Sequence, residues 1–242
     1  MKLSNNQKAV RFFRVLLRYG AEVLIIFIGI TISFLFEQWR VENQQKKELI
    51  ELSESLIRDA ETLKLKLAGD LKGSAEWIQD LDSIHAQRKS NRVSERHLKW
   101  LYQLISGQDL FNFDSQSPSY LSATNSGMLE KLPDSIQHHI YNLYHVELRY
   151  FQLLYDQQWQ NITQFRNSTL ISSEVDLYDK NAAGLQVDLK KFAQEVQKPV
   201  YGNFILEIRS LEEQVYKINE DASVALAKLI TSLQAYRNAL KS

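Results

Sequence analysis

Residues 23–36, VLIIFIGITISFLF, form an apolar run of fourteen residues that contains only one Thr and one Ser. Extended back to Tyr19, the segment reaches eighteen residues with a single charged side chain, Glu22. As an α-helix, a segment of this length rises about 27 Å, close to the roughly 30 Å hydrocarbon core of a bilayer. The run is apolar on every face, which is typical of a helix surrounded by lipid. We predict one transmembrane helix over residues 19–38, with the lipid bilayer as its partner.

The residues after the run favour a retained anchor over a cleaved signal peptide. A signal peptide ends in a small-x-small cleavage site, whereas this chain continues Phe36-Glu-Gln-Trp-Arg40. Tryptophan and basic side chains favour the membrane interface. We therefore predict that Arg18, Trp39 and Arg40 anchor the two ends of the span.

Charge is unevenly distributed along the chain, although the formal net charge is zero. Residues 1–18 carry five basic and no acidic side chains, and the remainder carries 24 basic and 29 acidic ones. Because cytoplasmic flanks are enriched in Lys and Arg, we predict a cytoplasmic N-terminal segment, residues 1–18. Residues 40–242 then lie on the extracytoplasmic side of the inner (cytoplasmic) membrane, which is the periplasm if the cell is Gram-negative. The mildly acidic remainder predicts no nucleic-acid partner, since phosphate binding needs clustered basic residues.

Polar and small residues in the span share one stripe. Glu22, Gly29 and Ser33 are spaced by seven and four residues, which places them on one helix face. Small residues let membrane helices approach closely, and a lipid-facing carboxylate is unfavourable. The stripe predicts self-association through Glu22, Gly29 and Ser33, and hence a homo-oligomer. In an alternative interpretation, Glu22 reaches the interface or pairs with Arg18 one turn earlier.

The composition favours long helices. The chain has 8 Gly and 3 Pro, where average usage would give about 17 and about 12. Both residues break helices, so their scarcity indicates few interruptions. The absence of cysteine excludes disulfides and Cys nucleophiles. No strand pattern is evident, and we predict an all-α fold.

Beyond the span, the pattern predicts a helical stalk over residues 39–73 and a helical bundle over residues 74–242. Apolar residues recur every three or four positions from Leu49 to Leu71. We expect Gly69 and Gly73 to loosen or end that helix, and Ser74 can cap a new one. Capping signals mark two shorter helices, which begin at Ser94 and Ser117 and end at Gly107 and Ser126-Gly127.

Two long helices are predicted inside the bundle. Pro133-Asp134 opens the first, which runs to residue 165 and is rich in aromatic residues. We expect these residues to be core, with an interface as the alternative. The second covers residues 200–240, where apolar residues alternate at spacings of three and four over four heptads. This long C-terminal helix predicts coiled-coil-like packing. Its partner is the stalk, the first long helix or a neighbouring subunit.

No sequence motif indicates a chemistry. The chain lacks a phosphate-binding loop, a dinucleotide fingerprint, a nucleophile elbow and a His-Glu-x-x-His motif. His138 and His145 are seven residues apart, whereas a metal pair on one helix prefers a spacing of four. We therefore predict no catalytic residues, no cofactor, no metal site and no enzymatic activity.

Short sequences around the span and in the centre of the chain form a set: Gly20-Ala-Glu22, Ile28-Gly29-Ile30, Glu37-Gln-Trp39-Arg40, Asn125-Ser-Gly-Met-Leu129 and Leu132-Pro-Asp134. This set resembles a bacterial family of single-span membrane proteins, which has Gly-Glu, an Ile-Gly-Ile span centre, a Trp, and a Ser-Gly-x-Leu element before a long helix. The chain departs from it in Gly-Ala-Glu, and in Glu-Gln-Trp where Asn-Asn-Trp is usual. The resemblance covers residues 20–145. It implies a membrane location and a bacterial source, and it carries over no catalytic residues.

Two functions fit these patterns. In the first, the protein is a membrane-anchored scaffold that self-associates through its span and stalk and presents a helical head domain to a protein partner. In the second, it is a gated membrane effector or sensor, acting for example in stress or phage defence. There the oligomerised spans would permeabilise the membrane and Glu22 would line the ion path.

Overall fold

The computed structural model describes residues 5–107, 117–173, 175 and 187–242, and within these ranges all regular structure is helical. The all-α prediction is confirmed. The α-helices are α1 (Asn5–Lys89), α2 (Glu95–Ser106), α3 (Pro118–Asn125), α4 (Asp134–Tyr141), α5 (Leu148–Phe165), α6 (Leu189–Val196) and α7 (Pro199–Lys241). A 3₁₀ turn, Met128–Lys131, precedes α4, and π-helical turns Asn142–Glu147 and Arg166–Leu170 flank α5.

The chain divides into two compact units, Met1–Glu51 and Leu52–Ser242. The second unit is called the bundle below. The division falls inside the predicted stalk, residues 39–73. Leu56, Leu63 and Leu67 of that segment are buried in the bundle core, so its second part contributes to the bundle's packing.

The first unit contains the apolar run. In the described part of the chain, one helix is long and apolar enough to cross a membrane, and none of its apolar window is buried. Val23, Phe27 and Phe34 are each between 66 and 69% exposed. A core helix of a water-soluble domain would bury such side chains.

The predicted break at Gly69 and Gly73 is wrong, because α1 continues through both glycines to Lys89. Neither glycine is among the residues with a positive φ. A glycine within a helix costs only about 1 kcal/mol relative to alanine. Leu67 and Leu81, on either side of the glycines, are completely buried, and their burial outweighs this cost. Ser74 is accordingly a buried side chain within α1 and not a cap.

The predicted caps of the short helices are confirmed. Ser94 accepts a hydrogen bond from the His97 backbone N–H, and Gly107 ends α2 with a φ of 83°. Ser117 caps α3, with Pro118 as its first residue. These side chains satisfy backbone donors that a helix end leaves without partners.

Polar side-chain contacts show the relative directions of the three long helices within the bundle. Lys241 Nζ lies 2.7 Å from Glu54 Oε1, and Arg209 pairs with Asp82, so α7 runs antiparallel to the bundle portion of α1. Asn161 Nδ2 donates to Glu207 Oε1 and Gln158 Nε2 to Glu212 Oε2, so α5 and α7 are antiparallel where they pair. The long C-terminal helix therefore packs against both helices named as its candidate partners within the chain.

The aromatic-rich helix is core on one face only. Phe151 and Leu143 are completely buried, and Leu148 is 1% exposed. Tyr150 and Trp159 are 48% and 45% exposed, so the expectation that these aromatic residues are core is wrong for them. The π-helical turns at both ends of α5 change the angular position of each residue, which a strict 3.6-residue period does not anticipate.

Candidate functional site

A cavity of about 270 Å³, which opens to solvent beside the exposed Gly69, lies between α1, α5 and α7. Two aromatic side chains, Trp77 and Tyr155, form part of its wall. An engineered cavity of about 150 Å³ is sufficient for benzene, so this one has room for a small organic molecule.

The two glycines of α1 create the space. Gly69 and Gly73 are four residues apart, and hence on one helix face, and both line the cavity. A Cβ atom added at either glycine would meet no atom within 4 Å. The missing side chains leave a void where a leucine-lined helix would fill the bundle.

Three buried polar side chains face this void. Glu212, Gln158 and Ser74 line the cavity and are 4%, 1% and 3% exposed. Gln158 Nε2 donates to Glu212 Oε2 at 2.6 Å, and Ser74 also hydrogen-bonds the carboxyl group. Burial raises the pKa of Glu212 above its ordinary value, and the nearby Asp70 adds to the rise, while the two hydrogen bonds oppose it.

The remaining ionisable groups of the cavity are also acids. Burial raises the pKa of Asp70, although Lys66 opposes the shift. Burial raises the pKa of Tyr155 as well, and Asp70 and Glu212 add to that rise. The residues that line the cavity include no Lys, Arg or His. The cavity therefore combines aromatic walls with two carboxyl groups that are held in an unfavourable environment for negative charge.

Sequence reasoning singled out no acidic residue of the C-terminal helix, because the adjacent pair Glu212-Glu213 has the pattern of a solvated helix face. A signal was present in the seven-residue spacing. Ile205, Glu212, Asn219, Leu226 and Leu233 occupy equivalent positions, and all five are buried. Two polar residues in an otherwise apolar heptad position are the pattern that indicates a buried polar site.

The residues predicted to mediate self-association lie in the first unit. Glu22 and Ser33 are exposed, and a Cβ atom added at Gly29 would meet nothing within 4 Å. Ser33 Oγ donates to the Gly29 carbonyl oxygen at 2.9 Å. Because Ser33 already donates its hydroxyl proton within its own helix, it has no proton left to donate to a second helix. Close approach of a second helix at this stripe therefore depends mainly on the small size of Gly29 and Ser33.

The predicted interface anchors are described in part. Trp39 is 60% exposed and lies against Phe36, with ring centroids 5.7 Å apart. Arg40 Nη2 lies 2.7 Å from Glu37 Oε1, and this carboxylate raises the pKa of the guanidinium. The Arg18 side chain lies outside the part of the chain whose side chains the structure describes.

A second polar cluster resembles a catalytic triad but has the geometry of a helix cap. His97 Nδ1 lies 3.0 Å from Ser94 Oγ, and His97 Nε2 lies 3.4 Å from Asp80 Oδ1. Nδ1 also lies 3.1 Å from Gln87 Oε1, which accepts from the Ser94 backbone N–H. Ser94 Oγ also accepts from the His97 backbone N–H, so the hydroxyl oxygen is engaged as the N-cap of α2. The cluster fixes the turn between α1 and α2.

Comparisons add no assignment to these observations. No protein-family model, curated protein or solved structure matches this chain. The resemblance carried by the sequences around the span therefore stays a prediction. Among the described residues, no group of three His, Asp or Glu side chains is placed to hold a metal ion.

The buried carboxyl group predicts an unusual pH dependence of stability. The raised pKa of Glu212 means that the folded state binds more protons than the unfolded state above the ordinary pKa. The contribution of the protonated Glu212 to the free energy of unfolding is complete at pH values below the pKa of the group in the unfolded chain. It is lost as the pH rises through the higher pKa of the group in the folded protein. We expect Glu212→Gln to raise the melting temperature at pH 8, by about 2–4 °C for each kcal/mol gained, and to leave it nearly unchanged at pH 4.

Thermal melts of the full chain at the two pH values measure this difference. Glu220→Gln is the matched control, because Glu220 is an exposed carboxylate on the same helix. Equal effects of the two substitutions at pH 8 would show that burial of Glu212 has no energetic consequence.

Proposed function

We propose that the protein is a single-span membrane protein that self-associates through its span and carries a helical head domain. The observation that carries the proposal is that every residue of the apolar run, from Val23 to Phe36, is exposed, whereas the described part of the bundle has a buried apolar core. Soluble monomers rarely expose contiguous apolar patches above a few hundred Å². A bilayer is the environment that covers such a helix on every face.

The basic residues of segment 1–18 and the mixed charges after Arg40 support an orientation with the N-terminus in the cytoplasm. The membrane in this proposal is the inner membrane of a bacterial cell, and the head domain is periplasmic. The exposed apolar side chains Tyr150 and Leu153 on α5 support a scaffold role, because they offer contact area to a protein partner.

Self-association through the span has a direct test. We expect Gly29→Leu to weaken oligomer formation about tenfold or more, because a large side chain at the closest point of two helices keeps their backbones apart. Chemical crosslinking of the full chain in dodecyl maltoside measures the ladder of species. Ile30→Leu is the matched control, since it changes a neighbouring residue on a different helix face.

The crosslinking experiment can support or contradict self-association through the span. A ladder that is lost in Gly29→Leu and kept in Ile30→Leu supports association through the predicted stripe. A wild-type protein that stays strictly monomeric at all concentrations rules out the self-associating scaffold.

A gated membrane effector or sensor is the second candidate function. The cavity of the bundle favours it, because a sensor needs a place to receive a signal and a scaffold does not. In this function the spans assemble around a path that Glu22 lines. Leakage of a dye from liposomes that Glu22→Ala abolishes distinguishes this function from the scaffold, and negligible leakage from both proteins with any candidate signal counts against it.

A further inference from the structure

The cavity between α1, α5 and α7 has a chemistry that neither the anchor nor the scaffold role uses. Its polar groups are largely withdrawn from solvent, and its volume of about 270 Å³ exceeds what a packed helical interface leaves empty. A bundle gains stability when such a void is filled by apolar side chains. Two glycines of α1 line it, and a Cβ atom added at either one would meet no atom within 4 Å.

The lining selects for positive charge. The Glu212 carboxyl group accepts from Gln158 and Ser74, and Asp70 is the second acid at the wall. The lining residues include no basic side chain, and Lys66, outside the lining, acts on Asp70. An anionic ligand would add a third like charge in a poorly solvated site, which is unfavourable. A cation removes the repulsion between the two carboxylates when it binds.

The aromatic side chains favour an organic cation over a metal ion. Trp77 and Tyr155 present indole and phenol rings to the cavity, and such rings attract ammonium groups through their faces. Trp77 is held in place by Trp100, with ring centroids 5.8 Å apart at 88°. Aromatic rings with one or two carboxylates are the chemistry that recognises substituted ammonium ions.

We propose that the cavity binds a small organic ammonium ion, held by the Glu212 carboxylate and the rings of Trp77 and Tyr155. The volume suits a molecule of about the size of choline. The same group occurs in free amines and in lipid headgroups, and the cavity chemistry is shared by both. This inference goes beyond the proposed function and holds whether or not the span self-associates.

The test is calorimetric titration of the full chain in dodecyl maltoside, whose headgroup carries no ammonium. The probes are choline and its neutral carbon isostere 3,3-dimethylbutan-1-ol, which has the same shape without the charge. We expect choline to bind at least tenfold more tightly than the isostere. Glycerophosphocholine is titrated as a third probe. If it binds more tightly than choline, the natural ligand comes from a lipid headgroup, and if it binds more weakly, the natural ligand is a free amine.

Two variants locate the binding site. Gly73→Leu should fill the cavity and abolish choline binding, whereas Ala75→Leu, on the exposed side of the same helix turn, should change the dissociation constant less than twofold. Glu212→Gln keeps the shape and the Gln158 hydrogen bond but removes the charge, and should weaken choline binding about tenfold or more. Circular dichroism melts verify that each variant is folded.

Two results overturn the proposal. The first is no choline binding by the folded wild-type protein, and the second is equal binding of choline and its neutral isostere. Neither result bears on membrane anchoring, which carbonate extraction measures separately, so the two proposals fail independently.

Discussion

Replacing Ile26 and Ile30 by arginine is expected to move the protein from the membrane pellet to the supernatant in carbonate extraction. Each arginine at the centre of a membrane helix costs about 2.5–3.5 kcal/mol on insertion scales, and each lost isoleucine adds a further fraction of a kcal/mol. The two substitutions together thus remove most of the favourable insertion energy of a run of fourteen apolar residues. Membrane and soluble fractions after ultracentrifugation report the outcome.

The design separates loss of anchoring from loss of folding. Both isoleucines are more than 60% exposed and lie in the first unit, so the bundle should keep its melting temperature in the double variant. Ile26→Leu with Ile30→Leu is the matched control and should stay in the pellet. A wild-type protein in the supernatant, or an arginine variant that pellets as fully as wild type without aggregation, contradicts the membrane assignment.

The features that the sequence predicted correctly are those governed by local rules. The apolar run, the caps at Ser94 and Ser117 and the left-handed Gly107 follow from composition, donor satisfaction and φ preference, all of which act within a few residues. The long helix α7 follows from an apolar period sustained over about forty residues.

The features that escaped prediction depend on contacts between distant segments. Gly69 and Gly73 carry the same local signal as a helix end, yet α1 is continuous through both, with Leu67 and Leu81 buried on either side. The cavity requires α1, α5 and α7 to converge at one level, which no single stretch of sequence encodes. Its key acid, Glu212, is followed by an exposed glutamate, and the pair resembles a solvated face.

Arg88→Met is expected to destabilise the bundle by about 3 kcal/mol, because Arg88 holds the corner between α6 and α7. Its Nε donates to the Val196 carbonyl oxygen at 2.6 Å and its Nη2 to the Lys198 carbonyl oxygen at 2.9 Å. Hydrogen bonds to charged groups contribute about 1.5–3 kcal/mol each, and a buried carbonyl without a donor is costly. Burial of the Arg88 guanidinium lowers its pKa. The group lies at the C-terminus of α6, where the helix dipole favours a cation.

A substitution at Gly202 tests the same contact from the opposite helix. A Cβ atom at residue 202 would lie 2.3 Å from Arg88 Nη1, so Gly202→Ala must displace a guanidinium that two carbonyl groups hold in place. We expect Gly202→Ala alone to cost about as much as losing those bonds. In the Arg88→Met background the same alanine meets no guanidinium and gains about 1 kcal/mol of helix propensity.

The double variant should therefore be no less stable than Arg88→Met alone, and a double-mutant cycle of urea unfolding free energies should show strong non-additivity. Lys89→Met, the exposed neighbour on α1, should change stability by less than about 0.5 kcal/mol. Additive losses in the cycle would mean that Gly202 and Arg88 act separately, and that the corner is held by the apolar contacts of Val196 and Tyr201 instead. Non-additive losses would show that Gly202 allows α1 to approach α7 closely because it leaves space for the Arg88 side chain.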